Sequence, residues 1–134
     1  MRRILFVALI FSMVVAADFE WVHSYKEALA LAQKEHKPVM LMITQPECNM
    51  CEYMDEVAFE NEELVDYIEY NFVPLKLDRS VANKLGFKDY GTPTFYFLTP
   101  KGKTFVPPLQ GAAAAKVFLK TIKEIKAKYV AQER

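Results

Sequence analysis

The sequence predicts an α/β sandwich, a mixed central sheet with helices packed on both faces. Three observations carry that reading. Two apolar runs, Val39 to Ile43 and Phe72 to Leu77, have the character of strands buried on both sides. The segments around them place apolar residues at helical three- and four-residue spacing. Thr94 to Leu98 alternates aromatic and aliphatic residues ahead of a Pro-Lys-Gly turn, which reads as a strand entering a hairpin.

The elements follow in order. Arg2 and Arg3, an apolar stretch from Ile4 to Val15, and Ala16-Ala17 together form the charged start, greasy middle and small-residue exit of a secretory signal peptide over residues 1–17. The stretch is too short for a comfortable membrane span; an uncleaved anchor or a buried helix is the alternative. A single domain over residues 18–134 follows. Asp18 to Val22 reads as a short strand. Ser24 offers an N-cap to a helix carrying Ala28, Leu29, Leu31 and Ala32, which Lys37-Pro38 ends because proline disfavours helical backbone before it. Val39 to Ile43 is a strand and Thr44 to Glu47 a loop, so Cys48 falls just past a strand's carboxyl end.

From Cys48 a helix aligns Cys51, Met54, Val57 and Ala58, and Asn61 caps another over Glu62 to Tyr70. Phe72 to Leu77 is the next strand. Ser80 caps a short helix to Leu85, with Gly86 as its left-handed exit. Thr94 to Leu98 turns through Thr99–Lys103 and pairs back through Thr104 to Val106. A long terminal helix over Ala112 to Val130 carries Ala115, Phe118, Leu119, Ile122, Ile125 and Tyr129 on one side.

Composition narrows the function. With 52% hydrophobic and 25% charged residues the chain is globular. Losing Arg2 and Arg3 with the leader takes Lys+Arg from 17 to 15 against 17 Asp+Glu, a formal net charge of −2. No polycation is left for nucleic acid or anionic lipid. The C-terminal lysines (Lys116, Lys120, Lys123, Lys126, Lys128) read as a solvated helix face.

Only two cysteines occur, in Cys48-Asn49-Met50-Cys51. A structural staple gains by closing a long loop, and this ring encloses almost nothing, so its value is chemical. A sulfur at a helix N-terminus faces unpaired N–H groups and the positive end of the dipole, which favour thiolate. Cys48 is the expected nucleophile. Cys51, one turn further in, is the resolving thiol that displaces a captured partner. Zinc sites built on C-x-x-C need a second ligand pair; His23 and His36 lack that spacing and read as surface residues. Glu52 in place of histidine removes covalent haem attachment, and no phosphate loop or Ser-centred elbow occurs. No metal or cofactor is expected.

The buried strand, the C-x-x-C opening a helix, and Gly91-Thr92-Pro93-Thr94-Phe95 before the next strand resemble the thioredoxin family over Asp18 to Tyr129. The resemblance implies a thioredoxin-like fold, a cis Pro93 against the cysteine pair, and Thr92 offering backbone hydrogen bonds to a bound substrate strand. Val57-Ala58-Phe59-Glu60-Asn61 and Phe72-Val73-Pro74-Leu75-Lys76-Leu77-Asp78 look most like exported thioredoxin-related reductases, including the C-terminal domain of the transmembrane thiol reductant transporter. The implied role is a periplasmic or otherwise secreted thiol:disulfide oxidoreductase. Its partners would be protein disulfides and a membrane-embedded electron donor. Four positions depart from cytosolic relatives: Glu47 replaces a tryptophan, Asn49-Met50 replaces Gly-Pro, and Met42 replaces a buried aspartate that assists the resolving thiol. Glu47, Asn49 and Met50 are therefore candidate modulators. An anionic Glu47 beside Cys48 opposes thiolate and favours a reductant over a strong oxidant; Glu47, Glu52 or water must serve the proton of Cys51.

Two other functions fit parts of the pattern. Cys48, Met50, Cys51 and Met54 are soft ligands suited to Cu(I). A non-catalytic interaction domain would use Tyr53, Phe87 and Tyr90 as an exposed docking face.

Overall fold

Among the described residues four strands form one sheet in the order Val73–Asp78, Val39–Thr44, Thr94–Leu98, Leu109–Gln110, with the first pair parallel and the other pairs antiparallel. The computed structural model describes residues 19–134; the expected leader lies outside the described residues. The elements are α1 (Tyr25–Glu35), β1 (Val39–Thr44), α2 (Asn49–Glu56), a 3-10 turn (Ala58–Glu60), α3 (Glu62–Asn71), β2 (Val73–Asp78), α4 (Arg79–Lys84), β3 (Thr94–Leu98), β4 (Leu109–Gln110) and α5 (Ala115–Gln132). This is the mixed sheet sandwiched by helices that the apolar runs predict.

Strand pleating sorts the core into two layers. Met40 and Met42 of β1 join Phe95 and Phe97 of β3 in one cluster, which takes in Cys51 and Met54 of α2, Leu64 and Ile68 of α3, and Phe118 and Ile122 of α5. Val39, Leu41 and Ile43 face the other way, with Leu75 and Leu98, onto Ala28 and Ala32 of α1 and Ala82 of α4. β1 is therefore covered on both sides, which is why its run is continuously apolar. Phe59, in the 3-10 turn, packs edge-on against Phe19, Trp21, Phe95 and Phe118, with centroids 5.5–6.4 Å apart. Such pairs contribute roughly 0.5–1.5 kcal/mol each beyond area burial.

Capping fixes where helices begin. Ser24 accepts from Glu27 N–H at 3.3 Å and Asn61 from Leu64 N–H at 3.0 Å, as their residue types predict. Ser80 does not cap α4. Asp78 does, accepting from Ser80 N–H at 2.9 Å and Ser80 Oγ at 2.7 Å, so Ser80 lies inside the first turn.

Other expectations need correction. Val22 makes a single bridge to Leu75 rather than a strand: Val22 N–H donates to Pro74 O and its carbonyl accepts from Lys76 N–H, both 2.9 Å. These bonds use the outward-facing backbone of β2, where the missing N–H of Pro74 costs the β1–β2 ladder nothing. Thr104 bridges only Leu98. Pro107 and Pro108 cannot donate, and regular pairing resumes at Leu109–Gln110, opposite Phe95 and Thr94. α5 begins at Ala115, three residues after the expected Ala112. Val57 is 54% exposed, because α2 ends at Glu56 and the chain bends into the 3-10 turn.

Candidate active site

The carboxyl end of β1 delivers the chain into Gln45-Pro46-Glu47, and Glu47 takes a left-handed φ of 58°. That turn sets Cys48 as the N-cap of α2, with extended backbone and its sulfur accepting from Cys51 N–H at 3.1 Å. A sulfur thus occupies the capping position usually held by an oxygen. Cys48 and Cys51 are joined as a disulfide with Cα atoms 5.2 Å apart. Cys48 is the more accessible of the two, at 8% against 3%.

The second wall comes from the loop before β3. Thr92–Pro93 is a cis peptide and Pro93 is buried. Gly111 N–H donates to Pro93 O at 2.8 Å, and Thr94 Oγ1 to Gly91 O at 2.6 Å. Thr92 Oγ1 donates to Cys48 Sγ at 3.2 Å, and Thr92 O lies 3.3 Å from the same sulfur. The disulfide sulfur carries no hydrogen, so the carbonyl contact is not a hydrogen bond in this state. A reduced Cys48 thiol could donate to that carbonyl. A Cys48 thiolate would instead be held by the Thr92 hydroxyl and the Cys51 N–H, two charge-assisted donors at the positive end of α2.

The structure therefore brings Cys48, Cys51, Thr92 and Pro93 together. Glu47 and Asn49 are exposed beside them, and Met50 is 54% exposed. Met42 is fully buried in β1 opposite Lys76 and Phe95. The nearby ionic feature escaped the sequence reading: Lys76 Nζ pairs with Asp55 Oδ1 at 2.7 Å and lies 4.7 Å from the centroid of the Trp21 ring. Asp55 is four residues after Cys51, and that spacing was the available signal.

Also missed was a polar web behind Thr92. Arg79 Nε donates to Asp89 Oδ2 at 2.9 Å, Arg79 Nη1 to Gln45 Oε1 at 3.2 Å, and Gly91 N–H to Asp89 Oδ1 at 3.2 Å. The Asp89 side chain is 1% exposed. Desolvation pushes its pKa up, but Gly91 N–H, the Arg79 charge and Asn83 together hold it below the usual carboxylate range. Contacts spanning 34 and 10 residues leave no periodic trace in a sequence.

Of the sulfur ligands considered for Cu(I), Cys48 and Cys51 meet and the two methionines lie in opposite environments. Met54 is fully buried and its sulfur accepts from Ala113 N–H at 3.4 Å, while Met50 points to solvent. Among the described residues no cluster of three or more His, Cys, Asp or Glu could hold a metal ion. Of the expected docking aromatics, Tyr90 and Tyr53 are exposed (69% and 36%), but Phe87 is buried against Tyr25 and Tyr96. His23 and His36 are exposed.

A family model described as a thioredoxin-like domain matches residues 25–126. The chain belongs to the thioredoxin-like family. It carries the Cys48–Cys51 disulfide on that fold, within the matched residues. Human spermatogenesis-associated protein 20 is 32% identical over 108 residues, covering 69% of this chain, which spans 14% of that relative's length. A solution structure of a thioredoxin from Thermus thermophilus is 29% identical with a TM-score of 0.72, covering 87% of this chain and 93% of its own. The oxidised DsbD C-terminal domain of Neisseria meningitidis is 20% identical with a TM-score of 0.58, covering 78% and 98%. That last likeness is one of fold. In this thioredoxin-like chain both the cysteine pair and the cis proline lie within the matched residues.

Proposed function

We propose that the protein reduces disulfide bonds in exported proteins by cycling Cys48 and Cys51 between dithiol and disulfide. The observation that carries the reading is the Cys48 sulfur, N-cap of α2, receiving hydrogen bonds from Cys51 N–H and Thr92 Oγ1. In the reduced protein the Cys48 thiolate attacks one sulfur of a client disulfide, forming a mixed disulfide and releasing one client thiolate. Cys51 then gives up its proton and attacks the Cys48 sulfur, closing the ring and releasing the second client thiolate. Two electrons pass to the client, and a membrane-embedded donor returns them to the ring. Thr92 and Pro93 frame the groove in which the client strand lies.

The reducing direction is supported by the neutral partners of the sulfur. Its donors are an amide and a hydroxyl, and the ionisable residues adjoining the motif are Glu47 and Glu52. A strong oxidant stabilises its thiolate more heavily. A reduction potential near that of strong oxidants would overturn the direction. The leader over residues 1–17 and residence in the periplasm or another secreted compartment belong to the same proposal. N-terminal sequencing of exported protein should find the cut after Ala16 or Ala17; retention of Arg2 and Arg3 would refute it.

The test of turnover is a Cys51→Ser trap. With the resolving thiol gone, mixed disulfides between Cys48 and clients should accumulate on non-reducing gels, and insulin reduction should fall to background. An empty trap alongside an inactive native protein would sink the catalytic reading.

A further inference from the structure

The two loops that build the site flank the Ile43–Thr94 rung, one leaving β1 after Thr44 and the other entering β3 at Thr94. One carries Cys48 and the other Thr92, 44 residues apart in the chain. Both adopt backbone that needs holding. Glu47 sits at φ 58°, which costs a non-glycine residue roughly 1–2 kcal/mol, and Gly91 sits at φ 118°. Arg79, at the start of α4, is bonded to both loops at once through separate nitrogens: Nη1 to Gln45, three residues before Cys48, and Nε to Asp89, whose other oxygen holds Gly91 N–H beside Thr92.

We infer that Arg79 is a positioning residue of the redox site, clamping the Cys48 and Thr92 loops together so that the Thr92 hydroxyl stays on the Cys48 sulfur. The inference rests on the proposed function only in taking the Cys48 thiolate as the reacting species. Arg79 touches neither sulfur. Its own side chain is 48% exposed but that of Asp89 is 1% exposed, so removing Arg79 strands a buried carboxylate and lowers the melting temperature as well. Gln45→Ala leaves that pair in place and separates the effect at the site from the effect on stability. A forked guanidinium suits this task because a lysine ammonium is a single point and cannot occupy both positions.

The experiment follows the pH dependence of Cys48 alkylation by iodoacetamide in the reduced full chain, read by peptide mass. It compares Arg79→Met, Arg79→Lys, Gln45→Ala and Thr92→Val. The ionisable groups around the motif and its facing loop, Glu47, Glu52, Lys88, Asp89 and Tyr90, are kept in every variant, and the positive charge facing Asp89 is lost only in Arg79→Met. Arg79→Met and Gln45→Ala should each raise the alkylation midpoint by roughly half to one pH unit, a partial loss of one charge-assisted hydrogen bond. Gln45→Ala leaves the Asp89 pair intact, so it reports on the clamp even if Arg79→Met folds poorly. Arg79→Lys should restore the melting temperature but not the midpoint. In a Thr92→Val background, Arg79→Met should add no further shift, because the bond it secures is already gone.

Unchanged midpoints in both Arg79→Met and Gln45→Ala would overturn the inference. So would full restoration by Arg79→Lys, which would make the charge on Asp89 the whole effect. If the native protein fails to reduce insulin, the proposed function falls while the alkylation comparison still decides the clamp.

Discussion

Thr92 reaches the redox sulfur with two groups of opposite preference. Its hydroxyl can donate to a thiolate and its carbonyl can accept from a thiol, at 3.2 and 3.3 Å from the same atom. Replacing Thr92 by Val keeps the shape, the carbonyl and the branch at Cβ but deletes the donor. Hydrogen bonds to charged groups contribute about 1.5–3 kcal/mol, so the Cys48 pKa should rise by roughly one to two units. Thiol absorbance near 240 nm against pH would measure it, and an unchanged pKa would assign the stabilisation to α2 alone. The family resemblance implied a backbone role for Thr92; the side-chain role was hidden because it depends on which rotamer meets a sulfur 44 positions away. The cysteine pair was legible because its chemistry is written in local spacing, and Pro93 through the family resemblance. Arg79 and Asp89 were not, since a surface-looking Arg and Asp ten residues apart announce nothing until the loops fold.

At the scale of elements, periodicity located the helices and strands well, and their ends less so. α4 shows why: both Asp78 and Ser80 are good caps, and only the backbone decides between them. β4 was misplaced because a hairpin turn predicts an immediate return strand, whereas Pro107 and Pro108 postpone it. The C-terminal lysines were read as a solvated face, yet Lys126 is partly buried and donates to Asn71 O at 2.9 Å, while Lys37 donates to Glu69 O at 3.0 Å. Two ammonium groups from elsewhere thus serve the carbonyl end of α3, whose own last turn holds no basic residue. Desolvation, with Lys37 adding to it, holds Lys126 below the usual lysine pKa. α5 has the opposite deficit. Its N-cap is the exposed Ala114, which offers no side-chain acceptor. Ala114→Ser should stabilise the protein by about 0.5–1 kcal/mol, seen as a higher urea midpoint at unchanged m-value; a lower midpoint would show that the site does not tolerate the cap.

For the whole molecule, acid stability should follow the carboxylates held by hydrogen bonds. Asp89 and Asp78 both titrate below the carboxylate value of 3.8 when folded; at Asp78 the Ser80 hydroxyl is the first cause and the Ser80 N–H the second. A depressed folded pKa means the native state binds the proton more weakly than the unfolded chain. The stabilisation is complete above the unfolded pKa and is lost as pH falls through the folded value. Urea midpoints should therefore drop as pH is lowered from about 5 to about 2, and Asp89→Asn should flatten that drop. Equal slopes in the two proteins would show that Asp89 is not a source of it.

The bridge at Val22 has a consequence beyond local pairing. By occupying Pro74 O and Lys76 N–H it shields the outer flank of the sheet, which would otherwise be an open template for another chain's backbone. A protease that trimmed the polypeptide past Val22 would leave the redox pair untouched and expose that flank. The predicted damage is self-association, with catalysis lost to precipitation while the active sulfurs remain intact.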